Sequence, residues 1–213
     1  MATTLREFVL ETLTSPFVNR LNFQFDTMLV YPNGYCNDIA ACIRGGSIRL
    51  TSDPAAISSH PEQMSADGSF VADTPRGQVH HFFVHSRYTL SRESELFLRD
   101  DVAGNELARL RGTIVHEATH ALQDYQRRQL DPPTAEGAAY LAGAITMRQW
   151  GFRTFGPIVD LYAGIHAYAL TVADRFLAEP NAGRRYVIPP DDVGWLKRLA
   201  PTGSAHRYVF DGI

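Results

Sequence analysis

Apolar positions along the chain change period near residue 104, and that change separates a β-rich part, about 15–102, from a helical part, about 104–178. Residues 3–13 read as a short amphipathic helix that stops before Ser15-Pro16, because proline disfavours helical geometry in the residue ahead of it. In LNFQFDTMLVY (21–31), Leu21, Phe23 and Phe25 alternate with polar neighbours, the period of a strand, and YPNG then reads as a turn. VHHFFVHSRYTL (79–90) and ELFLRDDV (95–102) are the next strands, joined by polar SRES. The stretch ISSHPEQMSADGSFVADTPRGQ (57–78) is rich in Ser, Pro, Gly and Asp, and reads as a long loop or flap. From Asn105 to about Arg128, Leu107, Leu110, Ile114, Ala118, Ala121, Leu122 and Tyr125 recur at intervals of three and four, which predicts a helix. QLDPPT breaks it; a second helix, with Thr134 as N-cap, runs to about Trp150 and ends at Gly151. A third spans about Pro157 to Ala178, and a turn-rich tail, 179–213, contains IPPDD and PTG. The expectation is one α+β domain over 1–213: a small, largely N-terminal twisted sheet packed on the 105–128 helix, with two further helices closing a cleft.

Composition narrows the classes of function. Hydrophobic residues make up 45% and charged residues 20%, while a net charge of -3 gives no broad attraction to nucleic acid or to acidic membranes. Lys197 is the single lysine among 20 basic residues, a bias that coding in a GC-rich genome explains as well as a binding surface does. No run of 18 apolar residues predicts a membrane-spanning helix. The first residues lack the charged and apolar regions of a secretory signal, so the sequence leads us to expect a cytoplasmic chain. Cys36 and Cys42 are too few and too far apart for a zinc ribbon or a CxxC pair, and read as buried or free thiols.

The chemistry concentrates in TIVHEATHALQDYQ (113–126). At 100° per residue, His120 lies about 40° around the helix from His116 and Glu117 about 100° from it, so the three share one broad face. Two imidazole nitrogens one turn apart can meet a single zinc, while the adjacent carboxylate stays free to take a proton from metal-bound water. By average residue usage, H-E-x-x-H arises by accident in a chain of this length on the order of one time in a hundred. A catalytic zinc needs a third protein ligand. Glu136, in PPTAEGAAYLAGA, is the best candidate: the chain reverses after His120, and Gly137, Ala138, Ala139, Ala142, Gly143 and Ala144 give the second helix a bare surface suited to close approach. The competing reading of Glu136 is a first-turn carboxylate facing its own helix N-terminus. Asp124, four residues past His120, either orients that imidazole or is a solvated helix carboxylate.

HEATHALQD followed by AEGAAY resembles the gluzincin metallopeptidases, in particular compact bacterial members, over roughly residues 79–150. That resemblance implies a zincin-like fold, Zn2+ as cofactor, His116, His120 and Glu136 as ligands, Glu117 as general base and a peptide or protein as substrate. The metzincin pattern does not fit, since no third histidine follows, and nothing around Cys36 or Cys42 resembles the cysteine motif of the peptide deformylases. Such chemistry needs a donor for the developing oxyanion, and the candidates are Tyr140, one turn after Glu136, and His166 in YAGIHAYAL. Each has a plainer reading as core packing. His80, His81 and His85 could form a second metal site, but their alternation beside Phe82 and Phe83 is more simply a sheet with one wet face. Zincins bind substrate along an edge strand, a part open here to 79–90 or 95–102. The expected activity is zinc-dependent peptide-bond hydrolysis. The alternatives are a non-catalytic zincin-like binding module, a deformylase- or amidase-type zinc hydrolase, and an effector exported without a cleavable signal.

Overall fold

The structure, a computed structural model, describes residues 3–53, 68–71, 80–92, 94–127, 129–153, 163–179 and 184–201. Helix α1 (Leu5–Leu13) forms where the pattern places it. Thr4 accepts from the Glu7 amide and the Glu7 carboxylate reaches back to the Thr4 amide, a reciprocal cap that satisfies two otherwise unpaired N–H groups. The alternating stretch that follows is a hairpin rather than one strand. β1 (Phe23–Phe25) and β2 (Met28–Val30) pair antiparallel across Asp26, whose φ of 53° turns the chain. Phe23, Phe25, Met28 and Val30 all face the core.

YPNG is not an isolated turn. It enters a helical segment that passes through one π-helical stretch (Gly34–Ile39) into α2 (Ala40–Gly45). Proline is well suited to a first helical turn, where its missing N–H costs nothing. Gly34 lies where a Cβ would stand 2.6 Å from Leu122, so this segment presses directly on the motif helix.

The α+β class holds among the described residues, but the expected single twisted sheet is three small ones. β1 gains a parallel partner from β8 (Tyr186–Val187). In a second sheet, β3 (Ile48–Thr51), β5 (His80–Val84) and β4 (Gly68–Val71) lie in that order, β3 parallel and β4 antiparallel to β5. β4 falls inside the stretch read as a loop; the remainder of that stretch lies outside the described residues. The strand expected over 79–90 breaks at His85, whose Nδ1 accepts from the Arg87 amide at 3.0 Å and caps a 3-10 turn. Its second half becomes β6 (Thr89–Arg92), hairpinned with β7 (Glu95–Leu98). The wet face expected beside His80 is absent here: β5 buries His80, Phe82, Phe83 and Val84.

Helix α3 (Gly104–Tyr125) carries the motif, and α4 (Pro132–Gln149) returns against it. The N-cap of α4 is Asp131, not Thr134. Two prolines occupy the first turn and the Thr134 amide donates to Asp131 Oδ1 at 2.7 Å. Gly151, at φ 83°, follows the end of α4 as the pattern requires. α4 is buried along nearly its whole length, packed by α3, by α5 (Ala163–Ala178), by α6 (Pro190–Leu199) and by the β1–β2 hairpin. Its small residues are therefore packing residues on several sides at once. At the α3–α4 crossing a Cβ on Gly143 would stand 2.8 Å from the Gly112 carbonyl oxygen, and on Gly137 it would stand 2.6 Å from Phe25.

The tail expected to be turn-rich contains α6, which starts at Pro190 in the IPPDD sequence. Lys197 fastens it, donating to Asp26 Oδ2 at 2.9 Å and to Asp131 Oδ2 at 3.3 Å. Residues 157–162 of the predicted third helix lie outside the described residues, as does PTG beyond Pro201. One hydrophobic cluster takes in residues from α1 through α6. Among the described residues, no helix is long and apolar enough to cross a membrane.

Candidate metal centre

His116 and His120 stand one turn apart on α3, and their Nε2 atoms converge to 3.2 Å. Glu136, in the second turn of α4, faces both. Its Oε2 is 3.6 Å from His116 Nε2 and its Oε1 is 3.7 Å from His120 Nε2. These three are the group of ligand-type side chains that could hold a metal ion among the described residues, with donor atoms all within 4.8 Å of one another. The separations suit a small cation, since two ligands at bonding distance from a tetrahedral zinc lie about 3.3 Å apart. Glu136 and His120 are buried and His116 is partly exposed.

The tautomer of His120 follows from its neighbour. Gln123 donates its side-chain N–H to the Ala135 carbonyl at 2.9 Å, so its oxygen is the atom 3.0 Å from His120 Nδ1. Nδ1 then carries a proton, and Nε2, 3.7 Å from Glu136 Oε1, is the ring nitrogen left to meet a metal ion. Gln123 thus ties an imidazole on α3 to the residue preceding Glu136 on α4. This is the service the sequence offered to Asp124, which instead is fully buried with its Oδ2 3.5 Å from His80 Nδ1. The signal in the sequence is a glutamine three residues after the second histidine of HExxH, a spacing that carries no motif status because a neutral amide neither ligates nor titrates.

Glu117 is buried beside the triad. One oxygen, Oε2, accepts from the Phe70 main-chain N–H at 2.8 Å, and the other, Oε1, lies 3.9 Å from His116 Nε2. Burial, reinforced by the nearby Glu136 charge and opposed by the Phe70 N–H, pushes its carboxyl up to about 8. A cation held by the triad would act against that rise by offsetting the Glu136 charge. The strand whose main chain bonds the motif helix is β4; of the segments expected to offer an edge, β5 is the central strand of its sheet, whereas β6 and β7 are the two strands of a separate hairpin.

Tyr140 and His166 are both brought to the centre. The Tyr140 ring stands edge-on to His116 with centroids 4.6 Å apart, and His166 stands edge-on to Tyr140 at 4.9 Å. His81 and His85, by contrast, join no metal-ligating group among the described residues. Cys36 and Cys42 are free and partly buried. Comparison with protein-family models, with characterised proteins and with solved structures finds no match for this chain.

Proposed function

We propose that this protein is a zinc-dependent hydrolase of peptide bonds. The observation that carries the reading is the convergence of His116, His120 and Glu136 from two helices, with the free oxygen of Glu117 turned to the same point. A structural zinc is normally closed by four protein ligands and has no use for a buried carboxylate beside it. Among the described residues three ligand-type side chains and one further carboxylate stand together, an arrangement that supports the division of labour of a hydrolytic centre. His116, His120 and Glu136 would hold the ion, which when bound supplies a Lewis acid for the scissile carbonyl and makes a coordinated water acidic at neutral pH.

The remaining steps belong to the chain. Glu117 Oε1 takes the proton of the attacking water and returns it to the departing amine, while Oε2 stays tied to Phe70. Tyr140, set edge-on to His116, is the hydroxyl donor we assign to the developing oxyanion, and His166 packs against its ring. The test is metal analysis beside Glu117→Gln and Glu136→Ala, each assayed on a mixed peptide library. Glu117→Gln is expected to keep stoichiometric zinc and lose hydrolysis; Glu136→Ala is expected to bind zinc more weakly. Full activity in Glu117→Gln refutes the base assignment, and unchanged zinc affinity in Glu136→Ala refutes the third ligand. A chain that binds no zinc at all refutes the reading as a whole.

A further inference from the structure

Strand β4 touches α3 through its main chain. In an antiparallel pair, alternate residues turn both main-chain polar groups toward the partner strand and the others turn theirs away. Phe70, registered opposite Phe82, sends its N–H to Glu117 Oε2 at 2.8 Å. It therefore belongs to the outward set, and Ser69 and Val71 are the residues that bond β5. Two further observations hold the strand in this place. Gly68 leaves no room for a side chain: a Cβ there would stand 2.7 Å from Thr113 Cγ2, 3.2 Å from the Phe83 carbonyl oxygen and 3.3 Å from Glu117 Cγ. The Phe70 ring stacks parallel to His80 at 5.8 Å, and His80 in turn faces Asp124 on the same helix.

We propose that the Phe70 main-chain amide is a positioning group for the base, holding one oxygen of Glu117 so that the other faces the metal-binding triad, with Gly68 as the residue that lets β4 come close enough to do so. The inference rests on reading Glu117 as the base, but the bond itself is independent of that reading. A glutamate has three rotatable side-chain bonds, and an unanchored one spreads its carboxylate over many positions. Anchoring a single oxygen to a rigid strand selects the few in which the second oxygen points into the site. The base is thereby set by the sheet as well as by its own helix.

Amide hydrogen exchange, followed by NMR on the full chain, tests the bond without metal or substrate. An outward amide on an edge strand exchanges freely unless something caps it. Phe70 is expected to be protected in the parent chain and in Glu117→Gln, which keeps a side-chain oxygen as acceptor. In Glu117→Ala the Phe70 amide is expected to speed up about tenfold or more, while Ser69 and Val71 keep their rates. Equal Phe70 rates in the parent and Glu117→Ala overturn the proposal, and so does an acceleration shared equally by all three amides. The positioning role is read from Gly68→Ala. There kcat on the peptide library is expected to fall about tenfold with KM and zinc content unchanged, while Gly45→Ala, whose Cβ would meet nothing within 4 Å, keeps parental activity. A Gly68→Ala chain with a fast Phe70 amide and undiminished kcat overturns the role. A chain with no peptidase activity but a protected Phe70 amide refutes the hydrolase reading and leaves the anchoring bond standing.

Discussion

Adding one methyl group at Gly143 should loosen the candidate metal centre from a distance, and the cost can be worked from the crossing of α3 and α4. A Cβ there would stand 2.8 Å from the Gly112 carbonyl oxygen and 3.3 Å from His116 Cβ. The first neighbour is main chain and cannot rotate away. Restoring ordinary contact demands that the helices part by about 0.6 Å. Overpacking of this kind costs roughly 1–3 kcal/mol. Replacing a helical glycine by alanine also contributes about 1 kcal/mol of helix propensity, which acts the other way. Gly194, within α6, supplies the control, because a Cβ there would meet nothing within 4 Å. Gly194→Ala carries the propensity gain alone, so the difference between the two variants isolates the overpacking. We expect Gly143→Ala to be less stable than Gly194→Ala by about 1–3 kcal/mol in urea titrations of the metal-free proteins. In thermal melts the same difference is worth about 2–4 °C for each kcal/mol. Because His116 and Glu136 ride on the two separated helices, zinc affinity should fall in Gly143→Ala and stay at the parental level in Gly194→Ala. Equal stability of the two variants would mean that the crossing yields freely, and would refute the reasoning that the close approach of α3 and α4 depends on the missing side chain at Gly143.

Two further expectations follow from hydrogen bonds at the ends of α3 and α4. Gln123→Ala removes the partner that orients His120, so zinc affinity measured by competition with a chelator should drop about 10- to 100-fold with the fold retained; an unchanged affinity would show that His120 needs no such support. Asp131→Ala should cost about 1 kcal/mol at neutral pH as a lost N-cap, whereas Asp131→Asn should keep most of the cap. Burial alone would raise the Asp131 carboxyl, but its bonds from Thr134 and its pairing with Lys197 outweigh that and hold it below its ordinary 3.8. A lowered folded-state value means a contribution that is complete above 3.8 and lost as pH falls through the folded value, so the stability curve of Asp131→Asn should be flatter than the parent's below that pH; parallel curves would refute the assignment.

The features legible in the sequence were those that local periodicity or local spacing dictates. His116, Glu117 and His120 share a face because a helix has 3.6 residues per turn, and Glu136 comes within reach because Asp131-Pro132-Pro133 forces a reversal before a helix of small residues. What stayed hidden depends on distant partners. β4 is four residues long in a stretch with the composition of a loop, and its support comes from β5 and from Glu117. Pro32 and Pro190 read as turn residues in the sequence, yet each opens a helical turn, because proline's preference for turns and for first helical positions arises from the same fixed φ. The 21–31 stretch could not be told from one strand by alternation alone, since the turn at Asp26 preserves the period on both arms.

Lys197 has a practical corollary. As the single lysine of the sequence, it is the one side-chain amine available to acylating or cross-linking reagents, and it is held by carboxylates from two different elements, Asp26 and Asp131. An amine in two ion pairs is a poor nucleophile until one lets go. The rate at which a small activated ester labels this position therefore reports how often those pairs open, and mass spectrometry of the proteolytic fragment that carries Lys197 can read it without a mutation or a dye.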